Sequence, residues 1–182
     1  MRNHARIIEC ARETFAHTPD ATLKSVARGA GVGQGTMYRH FPTSDHLLLA
    51  VYEDEIEGLA DAAAPLLELH EPPQALRLWL ERLAAQGGPG TAARRAVAAA
   101  TRSDISTPAY ARISSALEVL LGALRAEHRL RPGVTAHEVL LLMSYAWTGS
   151  PYDMSAPIRH DVLDIVLIGL GVGRLTCADA HT

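Results

Sequence analysis

Three observations predict an all-α fold with a small N-terminal head and a larger helical body. Hydrophobic residues make up 48% of the chain but aromatic ones only 5%, so Ala and Leu carry the apolar content, and both favour helix over strand. Apolar residues recur three and four positions apart between Gly- and Pro-containing breaks, the spacing of one helix face. Charge is distributed unevenly: the formal net charge is −3, yet the basic residues Arg2, Arg6, Arg12, Lys24, Arg28 and Arg39 precede an acidic stretch with Glu53, Asp54, Glu55, Glu57 and Asp61. At 182 residues the chain is long for one small module and short for two independent domains, which favours one continuous helical body carrying a distinct head.

The first helix is expected between Asn3 and His17, where Ile7, Ala11 and Phe15 repeat every four positions beside Ile8. Thr18-Pro19-Asp20 ends it, because proline disfavours helix in the residue before it. Thr22 is a suitable N-cap for a second helix burying Leu23, Val26 and Ala27. Gly29 and Gly31 supply the freedom for a tight corner that Val32 can plug, and a third helix runs from about Gly33 to Phe41, with Met37 and Phe41 facing the core together. Pro42 stops it. From Thr43 a long amphipathic helix is expected through Leu48, Val51, Ile56, Leu59, Ala63 and Leu66, broken or kinked near Pro65. It connects head and body.

Further helices follow between punctuation marks. Pro72-Pro73 opens one with Leu76, Trp79, Leu80 and Leu83, and Gly87-Gly88-Pro89-Gly90 closes it. Thr91 can cap an Ala-rich helix. Thr107-Pro108 starts a helix with a stripe of Ile113, Leu117, Leu120, Leu121 and Leu124, and Arg131-Pro132-Gly133 turns the chain. Thr135 and Glu138 have the spacing of a capping box for a helix through Val139, Leu142, Met143 and Ala146. A last helix, from Ile158 to about Gly173, is apolar around most of its circumference and carries Gly169, Gly171 and Gly173, where another backbone can come close. Residues 174–182 read as a frayed tail.

The stretch from Thr22 to Phe41 holds two short helical patterns around a glycine corner, and the second carries a dense set of groups able to hydrogen-bond a base edge or a phosphate: Gln34, Thr36, Tyr38, Arg39 and His40. With AGVGQGTMYRHFPTSDHLLLAVY it resembles the TetR (tetracycline-repressor) family of bacterial transcriptional regulators over roughly residues 5 to 52. The glycine corner, Val32, Gly35-Thr36, Tyr38, Phe41 and Leu47 stand in that family's order. The resemblance implies about nine helices: a three-helix helix-turn-helix head and a helical body that binds a small-molecule effector and pairs two subunits. Residues 1–46 are then the DNA-binding domain and 47–182 the effector-binding and dimerisation domain. Two positions depart from the family's pattern. Ser44 stands where many members place a lysine on the phosphate backbone, and Gly33 where a serine often caps the recognition helix.

In a helix-turn-helix the second helix enters the major groove. Gln34 can pair bidentately with adenine and Arg39 with guanine, while Thr36 can touch a thymine methyl or a phosphate. Lys24, Tyr38 and His40 suit phosphates, and Gly35 lets the backbone approach. The competing reading is that Tyr38 and His40 cover the head's small core. In the body, Trp79, Tyr110, Met143, Tyr145 and Trp147 are the larger groups that could line an effector pocket, with plain core packing as the alternative for each. A last helix apolar nearly all round needs cover on more than one side, so Val162, Leu163, Val166, Leu167, Gly169 and Leu170 are expected at a homodimer interface, with burial inside one chain as the alternative.

Other chemistries find little support. Gly31-Val32-Gly33-Gln34-Gly35 and Gly169-Leu170-Gly171-Val172-Gly173 lack dinucleotide-loop spacing, and neither follows a strand pattern. Gly88 to Thr91 lacks the lysine of a phosphate-binding loop, and Thr148-Gly149-Ser150-Pro151 is not a nucleophile elbow. The nine histidines are scattered without metal-ligand spacing, and Cys10 and Cys177 read as two reduced thiols. No catalytic set, metal site or cofactor is therefore expected. The apolar run from Val162 to Val172, interrupted by Asp164, is too short to cross a bilayer. The expected protein is a cytoplasmic, homodimeric, ligand-responsive regulator that releases double-stranded operator DNA on binding a small molecule. The alternative is a helix-turn-helix-derived coactivator or scaffold without operator binding.

Overall fold

The computed structural model describes residues 2–85, 92–101, 107–148 and 160–172. Among these residues the only regular secondary structure is α-helix: α1 (Arg2–His17), α2 (Leu23–Gly29), α3 (Gln34–His40), α4 (Ser44–Val51), α5 (Glu53–Asp61), α6 (Ala63–Leu69), α7 (Pro72–Ala85), α8 (Ala92–Ala100), α9 (Pro108–Ala126), α10 (Ala136–Thr148) and α11 (His160–Gly169). Since α4, α5 and α6 succeed one another with single-residue breaks at Tyr52 and Ala62, the expected connecting helix is present as three segments. Pro65 lies three residues beyond the second break. It has no N–H to offer the carbonyl of Asp61, and the chain tightens there, with the Ala62 N–H donating to Leu59 O at 3.3 Å. No described helix is long and apolar enough to cross a membrane.

Helix starts follow the side chains that can accept orphan backbone N–H groups. Thr22, Thr43 and Thr107 accept from the N–H of Ser25, His46 and Tyr110 respectively. Thr135 and Glu138 form the reciprocal capping box: Glu138 accepts from the Thr135 N–H at 2.9 Å, and Thr135 Oγ1 accepts from the Glu138 N–H at 3.3 Å. Glu118 on α9 adds a cap from outside, accepting the N–H of Ala136 at 2.8 Å and a bond from Arg125 at 3.0 Å. Partial burial pushes the Glu118 carboxyl up, but these donors outweigh it and hold the pKa below its ordinary value. The expected cap at Thr91 and the glycine run from Gly87 to Gly90 lie outside the described residues.

Two apolar clusters hold the molecule. The head cluster joins Ile7, Ala11 and Phe15 of α1 to Val26 and Ala27 of α2, to Met37 and Phe41, and to Leu47, Leu48 and Val51 of α4. Ala92 and Ala96 of α8 belong to this cluster too. The body cluster packs α7 against α5, α6 and α9, with Trp79 at its centre, and adds Val139, Leu140 and Met143 of α10 and Leu163, Leu167 and Leu170 of α11. Packing therefore does not change over at residue 47: Leu47, Leu48 and Val51 serve the head while Leu49, between them, serves the body.

The last helix is shorter than its apolar pattern. It stops at Gly169, and Gly171 takes a left-handed φ of 85° while the Val172 N–H reaches back to Leu167 O at 2.9 Å. Residues 158, 159 and 173, which the pattern included, lie outside the described residues, as does the expected tail. A neighbouring backbone does approach at this end, where the Arg131 N–H donates to Leu170 O at 2.9 Å.

Candidate nucleic-acid interface

The corner between α2 and α3 is built by Gly31, whose φ of 62° lets the Val32 N–H close on Ala27 O and the Gly31 N–H on Arg28 O. Gly29 plays a different part from the one its place in a glycine pair suggests. It is the last residue of α2, and a Cβ there would stand 2.8 Å from Cys10 Sγ of α1. Its small size lets α2 lie close on α1.

Beyond the corner, α3 is a two-turn helix with Gly33 as an N-cap that offers no side-chain bond. Met37 is buried and Phe41, the C-cap, is buried with it, so one face of α3 is fastened to the head. The opposite face is open. Gln34, Gly35, Arg39 and His40 are exposed, Tyr38 is 52% exposed, and Thr36 is half-buried. A Cβ on Gly35 would meet nothing within 4 Å. Lys24, on the preceding helix, is also exposed. The seven residues singled out for DNA contact thus all lie on α2 or α3, six of them exposed.

Two of these side chains are engaged with their surroundings. Arg39 lies back along its own helix, donating from Nε to Gly35 O at 3.1 Å and from Nη2 to Thr36 Oγ1 at 3.3 Å. Exposed bonds of this kind are worth about 0.5–1.5 kcal/mol each, so a phosphate or base edge can compete for the guanidinium. His40 shares its surroundings with His4 of α1, the two ring centroids being 5.8 Å apart, and His4 also lies 5.1 Å from the Phe41 ring. His40 therefore borders the head's core edge as well as solvent. His4 carries no spacing signal in the sequence that links it to α3; only the folded head brings them together. Ser44, in place of the family's lysine, is half-buried in the first turn of α4.

A second contact missed by sequence reasoning joins body to head. Arg95 of α8 donates from Nη1 to Pro19 O at 2.7 Å and lies 3.4 Å from Asp20, beside the loop that precedes α2. Arg12 of α1 ties the other side, donating to Val51 O at 3.2 Å where α4 ends. Tyr52, the break after that helix, has its phenol pKa raised by burial and by Glu55, with Arg12 opposing.

In the body the expected effector-pocket residues are occupied with packing. Trp79 and Met143 are fully buried, and Trp79 Nε1 donates to Leu59 O at 2.9 Å. Tyr110 is half-buried, its hydroxyl 3.1 Å from His137 Nδ1. None of the three lines the described cavities, the largest of which is an open cleft of about 560 Å³ between α5, α6 and α9 with Glu57, Asp61, Arg112 and Val119 on its walls. The side chains of Tyr145 and Trp147 lie outside the described residues. Of the expected interface residues, Leu163, Leu167 and Leu170 are buried in the chain's own core. Val162 and Val166 are half-buried, and Gly169 is exposed beside Ile165, itself 69% exposed. Among the described residues no group of three His, Cys, Asp or Glu is placed to hold a metal ion.

Residues 7–51, α1 through α4, match the family model of bacterial regulatory proteins of the tetR family. Comparison with curated proteins gives no match. Solved structures resemble the whole chain. A TetR transcriptional regulator from Streptomyces coelicolor is 32% identical, with 92% of this chain and 97% of that one covered and a TM-score of 0.52. RolR in complex with resorcinol shares the fold at 21% identity, with 93% and 88% covered and a TM-score of 0.60. So does a TetR-family transcriptional repressor, Thermus thermophilus FadR in complex with lauroyl-CoA, at 20% identity, with 98% and 100% covered and a TM-score of 0.56. Matched through its head by the family model and along nearly its full length by the Streptomyces protein, the chain belongs to the TetR family of bacterial transcriptional regulators.

Proposed function

We propose that this DNA-binding transcriptional regulator is a cytoplasmic repressor that acts as a homodimer, reads a partly palindromic operator with two copies of α3 and releases it when a small molecule binds the body. The observation that carries the reading is the two-sided character of α3: Met37 and Phe41 fasten one face, and the other offers Gln34, Tyr38, Arg39 and His40 to a partner. Gln34 and Arg39 read base edges, Thr36 a thymine methyl or phosphate, and Lys24, Tyr38 and His40 hold phosphates, with Gly35 giving the backbone room. Resorcinol and lauroyl-CoA, bound by two proteins of the same fold, support a small molecule as the signal without identifying it.

Effector release requires that the ligand bind one arrangement of body and head more tightly than another. The movement has two routes in this chain: α4, whose residues are shared between the clusters, and α8, which places Ala92 and Ala96 in the head core and Arg95 on Pro19. Pairing of two subunits is assigned to the outer side of α11, where Ile165 is exposed and Val162 and Val166 are half-buried. The protein is expected at twice the 19.6 kDa chain mass in solution, and a monomer at micromolar concentration would remove the dimer from this reading. An electrophoretic shift with the DNA upstream of the protein's own gene tests operator binding. Salt-sensitive binding lost in the Gln34→Ala, Arg39→Ala double variant supports it, and no binding to any duplex across salt conditions contradicts it.

A further inference from the structure

A cavity of about 240 Å³ lies at the seam between head and body, away from the exposed face of α3. One wall is formed by His46 and Ala50 of α4 and, across the break at Tyr52, by Glu53 at the start of α5, and the first turns of α9 form the other. His4 of α1 reaches the same space. At about 30 Å³ per water it holds roughly eight water volumes, below the 300–1,000 Å³ usual for drug-sized ligands, so its occupant has on the order of ten non-hydrogen atoms or fewer.

The charge around the cavity selects the ligand's sign. Arg112 is its one cationic lining residue, and its guanidinium is shared between two carboxylates: it contacts Glu57 directly and stands 3.7 Å from Glu53. One guanidinium against two carboxylates leaves a negative charge in excess, and of the two carboxylates it is Glu53 that lines the cavity. His46 Nδ1 lies 2.7 Å from Thr43 Oγ1, which also accepts the His46 backbone N–H at 3.3 Å, so the ring is held in place at the cavity wall. Leu49, Ile56, Pro108 and Ala109 supply an apolar lining. We propose that this seam cavity binds a small organic ammonium ion, a primary amine on a short apolar body, with the ammonium at the Glu53 carboxylate, the His46 ring beside it, and the apolar part against Leu49, Ile56 and Pro108. Because His4 also packs on His40 and Phe41, occupancy bears on the end of α3; that consequence alone rests on the DNA-binding reading.

Benzylamine, a benzylammonium ion at neutral pH, is the probe, with benzyl alcohol and benzoate as equal-sized neutral and anionic controls, titrated into the full chain by calorimetry. Benzylammonium is expected to bind at least about ten-fold more tightly than benzyl alcohol, a gap of about 1.4 kcal/mol, and benzoate not at all. The imidazole proton resonances of His4 and His46 should shift on titration. Glu53→Gln is expected to remove about ten-fold in affinity, and Ala50→Leu, which fills the space without altering charge, to abolish binding. No benzylammonium binding at millimolar concentration, equal binding of benzoate, unmoved His4 and His46 resonances, or full affinity in Glu53→Gln would each overturn the proposal. Glu53→Gln touches only an exposed ion pair, so it stays informative if Ala50→Leu fails to fold. None of these readouts involves operator DNA, so their failure is distinct from failure of the repressor reading.

Discussion

The head and the body are built from the same kind of element on different scales. The corner helices α2 and α3 have seven residues each, too few to be stable alone, whereas α7 has 14 and α9 has 19. The head compensates with close geometric constraints: the Thr22 cap, the left-handed Gly31, the approach of Gly29 to Cys10, and the Met37–Phe41 anchor. The body relies on area instead, with Ile113, Leu117, Leu120, Leu121 and Leu124 of α9 fully buried along one stripe and Trp79 enclosed beside it. Small parts of the head are therefore individually decisive for where the exposed face of α3 sits, while the body tolerates variation on its surface and loses stability when a large core residue is removed.

The largest expected effect falls on the body. Trp79→Ala removes a fully buried indole and its bond to Leu59 O, and should cost about 3–5 kcal/mol in denaturant unfolding. Because Ala92 and Ala96 tie α8 into the head, the loss should appear in one shared transition; a head that keeps its own unchanged melting point would break the link between the two regions. A smaller effect is expected in the head from Gly29→Ala, whose new Cβ meets Cys10 Sγ. We expect a loss of about 1–3 kcal/mol, recovered in good part by adding Cys10→Ala, so a double-mutant cycle with no coupling would contradict the close approach of α1 and α2.

Arg95→Ala is expected to cost about 1 kcal/mol through its bond to Pro19 O, and hydrogen exchange should quicken in the loop before α2 more than in α9. The smallest effect is Glu118→Gln. This carboxylate is largely exposed, so its bonds to Ala136 and Arg125 contribute at most about 1 kcal/mol after solvent screening. Its folded pKa is lowered, so the contribution is present above the ordinary value of 4.5 and is lost as pH falls through the folded value. The wild type and Glu118→Gln should therefore differ at pH 7 and converge in acid as pH falls through the lowered folded value; a constant difference from neutral pH into acid would remove Glu118 as a charged cap.

The same contrast explains what was legible in the sequence. The caps at Thr22, Thr43, Thr107 and Thr135 bond residues three positions away, and the buried stripes of α1 and α9 repeat every three or four, so both are written locally. The face of α3 follows from Met37 and Phe41 in the same way. Three features depend on chain segments far apart and left no local mark. Gly29 looks like a turn residue until α1 brings Cys10 against it, and the Ala-rich α8 carries no sign that it packs on the head. On α11 periodicity could say only that Leu163, Leu167 and Leu170 must be covered, and the chain's own α7 and neighbouring helices cover them. The large groups expected around an effector, Trp79 and Met143, were drawn into the core because burying them is worth more than exposing them to a cavity.

The most direct measurement is the salt dependence of duplex binding by the wild type and by Gln34→Ala, Arg39→Ala and Lys24→Ala, using fluorescence anisotropy with DNA from upstream of the gene. If α3 reads bases and Lys24 holds a phosphate, Lys24→Ala should weaken binding to specific and random duplexes alike and reduce the slope of log K against log salt by about 1. Gln34→Ala and Arg39→Ala should instead cost about 1–3 kcal/mol on the specific duplex and narrow its advantage over random sequence. Equal losses on both duplexes from all three variants, or specific binding untouched by any of them, would contradict the assignment of α3 as the reading helix.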